Sequence, residues 1–135
     1  MIGTELAVSA FINPILEKLE DRARLTAVRL FASKLGFAMP FWYALGFFFL
    51  LAVAFLFLHQ PGFPLVAAAA AIWAVVIVLT LLFLVPINNR MARLSPDAAA
   101  GESLRQHRKW DLMHRVRVGA LTAAMLLFLL GVYAR

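Results

Sequence analysis

Residues 63–87, FPLVAAAAAIWAVVIVLTLLFLVPI, decide the fold class of this chain. The segment carries no charged side chain, and as an α-helix it is about 37 Å long, enough to cross the hydrocarbon core of a bilayer, which is ~30 Å thick. Its run of small side chains from Ala67 to Ala71 allows a neighbouring helix to approach closely. A segment of this length and composition predicts an integral membrane protein.

The rest of the chain has the same character. Of its 135 residues, 64% are hydrophobic and only 15% are charged, and the net charge is +6. The basic side chains cluster in two segments between apolar stretches, as orientation signals do, so nucleic-acid binding is not expected. The chain has no cysteine, which excludes a disulfide, a thiolate nucleophile and a cysteine-ligated metal.

Four membrane helices are predicted in a single domain that covers residues 1–135. Their approximate bounds are residues 2–16, 36–58, 63–87 and 116–134. The first is a marginal span, because a helix of that length covers only about 22 Å. Ser95-Pro96-Asp97 has the chemistry of a helix start, which predicts a helix from about Pro96 into the fourth span. The expected fold is all-α, a four-transmembrane-helix bundle with a helical cytoplasmic extension before the fourth span.

Basic side chains set the expected orientation, because Lys and Arg resist translocation. Segments 17–35 and 90–117 are rich in both, whereas the turn at residues 59–62 has neither. Both basic segments are therefore expected to be cytoplasmic, with the two termini outside. Segment 17–35 is predicted to be a partly helical polar connection, which either lies along the membrane surface or packs on the bundle.

One helical face carries a group of polar and aromatic side chains into the membrane. In residues 107–117, HRKWDLMHRVR, this face is formed by His107, Trp110, His114 and Arg117. An ionisable side chain in such a place is costly and indicates a functional site.

Two other helices bring polar side chains to the same membrane boundary. Glu5 and Asn13 belong to a polar stripe on the first helix, which is expected to face the bundle interior because lipid is an unfavourable neighbour for it. Asn88 and Asn89 follow Pro86 at the end of the third span, where a kink turns their amides toward the boundary. These side chains are expected to converge with those of the fourth helix.

Metal-free acid–base chemistry is the reaction type that these residues favour. His107 and His114 lie about 10 Å apart along a helix, too far to share one metal ion. His114 can accept a proton near neutral pH, while Arg117 and the asparagine amides stabilise the resulting anion. Trp110 supplies an aromatic wall. These residues leave open whether His107 or His114 holds a haem.

Each of these residues also has a purely structural interpretation. Arg117 can extend to the lipid headgroups, Trp110 can anchor the helix at the membrane interface, and His114 can lie there without a role. Asn88 and Asn89 can cap the third helix. Phe41-Trp42-Tyr43, near the start of the second span, is either an interfacial anchor or the wall of a pocket for a flat ligand.

Two motifs resemble a known family. Pro86-x-Asn88 at the end of the third span, followed by Trp110-x-x-x-His114-x-x-Arg117, is similar to small four-span membrane proteins that include the fungal anthrone oxygenases. Gly3-Thr4-Glu5 and Asn13-Pro14 are also similar to bacterial members, and this resemblance implies a protein of the bacterial cytoplasmic membrane. The resemblance covers essentially the whole chain. It implies oxidation of a polycyclic anthrone to a quinone by O₂, without a flavin or a metal.

The expected site follows from the residues and the resemblance together. His114 is the expected base, and Arg117 and Asn88 stabilise the anion. The expected substrate-binding residues are Trp110, Asn89, Asn13 and Glu5. No metal and no cofactor are expected, and the expected partners are membrane lipid, a hydrophobic aromatic small molecule, and a second copy or another membrane protein. The alternative function is a non-catalytic accessory subunit that holds a lipid or a partner protein.

Overall fold

The computed structural model describes residues 1–93 and 100–134, and it describes only the backbone of residues 91, 92 and 100–107. Within these parts the chain is helical and has no strand. Helix α1 covers residues 2–17, α2 is Asp21–Leu56, α3 covers residues 63–92, and α4 is Ala100–Tyr133. The predicted helix start at Ser95-Pro96-Asp97 lies outside the described residues.

The four helices form an all-α bundle, as predicted. Three of them contain a stretch long and apolar enough to cross a membrane, namely Asp21–Leu56, Phe63–Arg90 and Arg108–Tyr133. The chain is therefore an integral membrane protein. Helix α1 is not among the three, because its length of about 24 Å is short of the hydrocarbon thickness. Its crossing of the membrane stays a prediction.

Helix α2 differs from the prediction at its start. It runs without interruption from Asp21, whereas the sequence predicted a separate polar connection as far as residue 35. The apolar positions Leu25, Val28 and Ala32 recur at helical spacing and are all buried. This part of α2 therefore packs on the bundle as a continuation of the span.

Small residues allow the helices to approach closely. Helix α4 packs most extensively on residues 63–79 of α3. At the turn between α2 and α3, a Cβ atom added to Gly62 would lie 1.9 Å from the carbonyl oxygen of Gly131 near the end of α4. The two backbones are therefore in direct contact at this end of the bundle. The opposite end carries the basic segments, and we call it the basic end.

Two wide helical turns interrupt the regular helices. Val8–Ile12 in α1 and Thr80–Leu84 in α3 are π-helical, and each is followed within two residues by a proline, Pro14 or Pro86. A proline has no backbone N–H for the preceding turn, and a π-turn accommodates such a gap in the hydrogen-bond pattern. Such turns are frequent at functional sites, and both of these line the same cavity.

Candidate functional site

A cavity of about 340 Å³ lies among the four helices, toward the basic end. Its volume is within the range of about 300–1,000 Å³ that is usual for small-molecule sites. Most of its wall is apolar, from side chains such as Ile12, Met39 and Leu84. The polar side chains in its wall are Glu5, Asn13, Tyr43, Thr80, Asn88, Trp110, His114 and Arg117. An apolar chamber with a few convergent polar groups is typical of a ligand site.

Glu5 is the centre of the polar group. It is 2% exposed, as expected for a residue facing the bundle interior. One carboxylate oxygen accepts a hydrogen bond from the Tyr43 hydroxyl at 2.8 Å, and the other accepts one from Arg117 Nη2 at 2.7 Å. The buried carboxylate therefore joins three helices, and its charge is balanced by a guanidinium.

His114 is 1% exposed and uses both ring nitrogens. Nε2 lies 3.2 Å from the backbone oxygen of Glu5, and Nδ1 lies 2.9 Å from Arg117 Nη2. A guanidinium can only donate and a carbonyl oxygen can only accept. A neutral imidazole with its proton on Nε2 and a lone pair on Nδ1 satisfies both partners, whereas an imidazolium would donate from Nδ1 to the Glu5 carboxylate oxygen 3.2 Å away.

Arg117 points into the bundle, with only 10% of its side chain exposed. Arg117 therefore does not extend to the lipid headgroups, as its purely structural interpretation required. Nη2 serves both Glu5 and His114, and the guanidinium carbon lies 5.4 Å from the centre of the Tyr43 ring. Nε is buried and has no hydrogen-bond partner in the described part of the chain. The guanidinium thus keeps a donor that the described residues do not satisfy.

Trp110 lies against His114. The two rings are stacked, with centroids 4.7 Å apart and planes inclined by 9°. Both side chains line the cavity, with the indole half-buried. The indole plane therefore fixes the orientation of the imidazole and forms part of the aromatic wall that the sequence predicted.

Asn13 lies in the cavity wall with its amide already engaged. Its Nδ2 donates to a carboxylate oxygen of Asp111, and the other oxygen of Asp111 accepts from Arg115 Nε at 2.8 Å. Asn13 and Asp111 are both buried, whereas Arg115 is exposed. The bond between Asn13 and Asp111 fastens α1 to α4 one turn away from His114, and Arg115 holds Asp111 from within α4.

Asn88 reaches the cavity from α3 and is held by α2. Its Nδ2 donates to the backbone oxygen of Ala32 at 3.2 Å. The close approach depends on Gly36, because a Cβ atom at that position would lie 2.8 Å from the same nitrogen. One N–H of Asn88 is thus used within the bundle, and its side chain is placed by a glycine on the neighbouring helix.

Two other expected participants are not brought to the cavity. Asn89 is exposed and does not line it, because adjacent positions on a helix point about 100° apart. The expectation that Asn89 binds substrate there is therefore wrong. The side chain of His107 lies outside the described residues.

Sequence reasoning missed Asp111 and Thr80 in this region, and it left Tyr43 open between an interfacial anchor and a pocket wall. Asp111 lies in the 107–117 stretch, where it is the single acidic residue among several basic ones, and this was the available signal. Tyr43 is 3% exposed, whereas its neighbours Phe41 and Trp42 are more than half exposed, so the aromatic cluster divides between pocket and membrane surface. Thr80 lines the cavity, but its hydroxyl finds no hydrogen-bond partner among the described residues. Thr122, in contrast, bonds its own helix at Val118.

A comparison with protein families gives one match. The family model for anthrone oxygenase matches residues 29–127, which is most of the chain. The matched region includes Tyr43, Asn88, His114 and Arg117, whereas Glu5 precedes it. Comparisons with curated proteins and with solved structures gave no match. Because the family model covers well over half of its length, this chain belongs to the anthrone oxygenase family.

Proposed function

We propose that this protein is a membrane-bound oxygenase of the anthrone type, which uses O₂ to oxidise a hydrophobic polycyclic aromatic substrate without a cofactor. The family match supports the reaction type. The observation that carries the assignment to a site is the cavity, where His114 and Arg117 stand among a few polar side chains in a mostly apolar wall. Such a chamber suits a flat, apolar molecule with one oxygen that becomes charged during the reaction.

The first step is removal of a proton from the CH₂ group of the substrate. In this proposal Nδ1 of His114 accepts the proton, because Nε2 already donates its own proton to the backbone oxygen of Glu5. Arg117 must then transfer its hydrogen bond from Nδ1 to the oxygen of the substrate, where the negative charge collects. The imidazolium formed in this way lies 3.2 Å from the carboxylate of Glu5, which balances its charge.

The remaining steps consume the substrate's own electrons. The enolate gives one electron to O₂, and the resulting radical pair forms a C–O bond and a peroxide, which takes up a proton. Loss of the second C–H proton breaks the O–O bond, so hydroxide leaves, takes up a proton and becomes water. The CH₂ group becomes a carbonyl group and O₂ supplies one oxygen atom to each product. The balance needs no external reductant.

The residues would divide this work as follows. His114 is the base, Arg117 and the second N–H of Asn88 stabilise the oxyanion, and Trp110 supports the ring of the base. An oxyanion donor of this kind contributes about 10²–10³-fold in rate in other enzymes. Glu5 acts through Arg117 and His114 in this proposal, because both of its oxygens already accept hydrogen bonds. We place the basic end in the cytoplasm, as the charge distribution favours.

The test is O₂ uptake by purified protein in lipid nanodiscs with anthrone as substrate. The wild-type protein should accelerate uptake over protein-free nanodiscs, and His114→Ala should lower the rate by about 10²–10⁴-fold, the usual contribution of a positioned base. His59→Ala is the matched control, because His59 is exposed in the turn between α2 and α3. Equal rates for wild type and His114→Ala would refute the assignment of the base.

A second function is favoured by one observation. Both nitrogens of His114 are already occupied by Glu5 and Arg117, an arrangement that also suits a purely structural histidine. In that case the cavity holds a lipid or a partner side chain, and the protein is a non-catalytic membrane subunit. Purification in a mild detergent decides between them: stoichiometric lipid or a partner chain, with no O₂ uptake, supports the subunit.

A further inference from the structure

The cavity has a side that faces the lipid. The residues of its wall that are exposed on the outer surface of the bundle include Pro40 and Ala44 of α2 and Leu81 of α3, while Phe31 and Gly36 of α2 are exposed closer to the basic end. Leu81 is 56% exposed even though it also lines the chamber. Pro40, Ala44 and Leu81 belong to two neighbouring helices that cross the bilayer, so the surface that they share contacts hydrocarbon and not water.

Two close contacts between α2 and α3 bracket these residues. At one end a Cβ atom at Gly36 would lie 2.8 Å from Asn88 Nδ2, and at the other a Cβ atom at Gly46 would lie 2.7 Å from Trp73 Cζ2. The helices are antiparallel neighbours, so the midpoint between these contacts falls near residue 41 on α2 and near residue 80 on α3. The helices are tightly packed on both sides of this point.

Between the two contacts the helices are much less closely packed. Helix α2 packs on Phe63–Leu79 and on Val85–Ala92, but has only marginal contact with the π-helical turn Thr80–Leu84 between them. Pro40 lies on the opposite side of the gap, and it removes a backbone hydrogen bond from α2 there. The gap therefore follows from two irregular backbone segments that face each other.

From this geometry we propose that the gap between α2 and α3 at Pro40, Ala44 and Leu81 is a lateral portal through which a lipophilic molecule dissolved in the bilayer enters the cavity. The portal lies about 6–12 Å along α2 from Gly36, within the apolar part of the span. Its edges are small or apolar, and the polar side chains Arg117 and His114 stand deeper in the chamber. A molecule that enters here keeps its apolar body in an apolar medium throughout. The inference rests on the proposed function only for the identity of that molecule.

The absence of cysteine from the chain makes a direct test simple. Ala32 is buried and lines the cavity, so Ala32→Cys places one thiol inside it. Alkylation by N-phenylmaleimide dissolved in nanodisc lipid then reports access from the bilayer. This variant is combined with Ala44→Trp, which fills the portal, or with Ala52→Trp, which is exposed on the same helix and does not line the cavity.

The expected result is alkylation about tenfold slower with Ala44→Trp than with Ala52→Trp, equivalent to an added barrier of ~1.4 kcal/mol. With each rate divided by that of the same reagent with a free thiol in water, a charged methanethiosulfonate should react with Ala32→Cys much more slowly than the maleimide. Equal maleimide rates in the two double variants would overturn the portal, as would a larger relative rate for the charged reagent. Leu81→Trp and Leu82→Trp repeat the comparison on α3 and decide it if Ala44→Trp does not fold, since only Leu81 lines the cavity.

The outcome is independent of catalysis, because neither anthrone nor O₂ is used. Gated alkylation in a protein without oxygenase activity would retain the portal and reject the proposed function. Oxygenase activity that is the same in Ala44→Trp and Ala52→Trp, together with equal alkylation rates in the two variants, would reject the portal and retain the proposed function.

Discussion

Replacing Glu5 with glutamine should destabilise the fold, because it leaves a buried guanidinium without its counter-charge. Glu5 is 2% exposed and the side chain of Arg117 is 10% exposed, so solvent screens neither group effectively. The substitution removes the charge that Arg117 and the Tyr43 hydroxyl contact at 2.7 Å and 2.8 Å. Removing one partner of a buried ion pair typically costs about 3–5 kcal/mol.

The measurement is the free energy of unfolding in mixed micelles, followed by tryptophan fluorescence as the fraction of denaturing detergent rises. Glu17→Gln is the matched control, because Glu17 lies exposed at the end of the same helix and should change stability by no more than about 0.5 kcal/mol. In the double variant of Glu5→Gln with Arg117→Gln, neither charge is left uncompensated. Its loss of stability should therefore be smaller than the sum of the two single losses, by about 0.5–3 kcal/mol.

The reasoning would be refuted if Glu5→Gln were no more destabilising than Glu17→Gln. Additive losses in the double variant would also contradict it, because they would mean that Glu5 and Arg117 do not interact. Either result would remove the charge balance on which the proposed roles of Arg117 and His114 depend.

Three glycine substitutions test the packing and the site. Gly62→Ala should destabilise by about 1–3 kcal/mol, because its Cβ atom would lie 1.9 Å from the Gly131 oxygen and the helices would have to separate. Gly119→Ala, where a Cβ atom meets nothing within 4 Å, should instead stabilise by about 0.5–1 kcal/mol, and detergent unfolding that ranks the two the other way would reject the contact. Gly36→Ala should displace the Asn88 amide and lower kcat for anthrone by about tenfold, while the melting temperature stays nearly unchanged because the helix preference of alanine offsets the lost hydrogen bond to Ala32. Unchanged kcat would remove Asn88 from the proposed site.

The helical fold could be predicted because apolar length is a local property of the sequence. The predicted span 63–87 lies within α3, and the predicted span 36–58 lies within α2 except for its last two residues, because α2 ends at Leu56. The start of α2 was not predicted, because charged residues such as Arg22 and Lys34 favour helices as well as loops and only tertiary packing distinguishes the two. The buried positions Leu25 and Val28 show that packing determines this boundary.

The site was predictable where a single helical face defined it. Trp110, His114 and Arg117 share a face of α4, and all three line the cavity. The side chains that face them from other helices depend on how the helices rotate against one another, which helical periodicity does not determine. Tyr43 was therefore grouped with its exposed neighbours, and Asn89 was expected at a site that it does not reach.

The π-helical turn Val8–Ile12 acts as a one-residue insertion in α1. In a regular helix Glu5 and Asn13 would point about 80° apart, because eight residues at about 100° each overshoot two turns. An inserted residue reduces the effective separation to seven, and the two directions then differ by only about 20°. Both side chains are 2% exposed. The direction of the Glu5 carboxylate toward Arg117 is thus encoded in the number of residues in this turn and not in their identity.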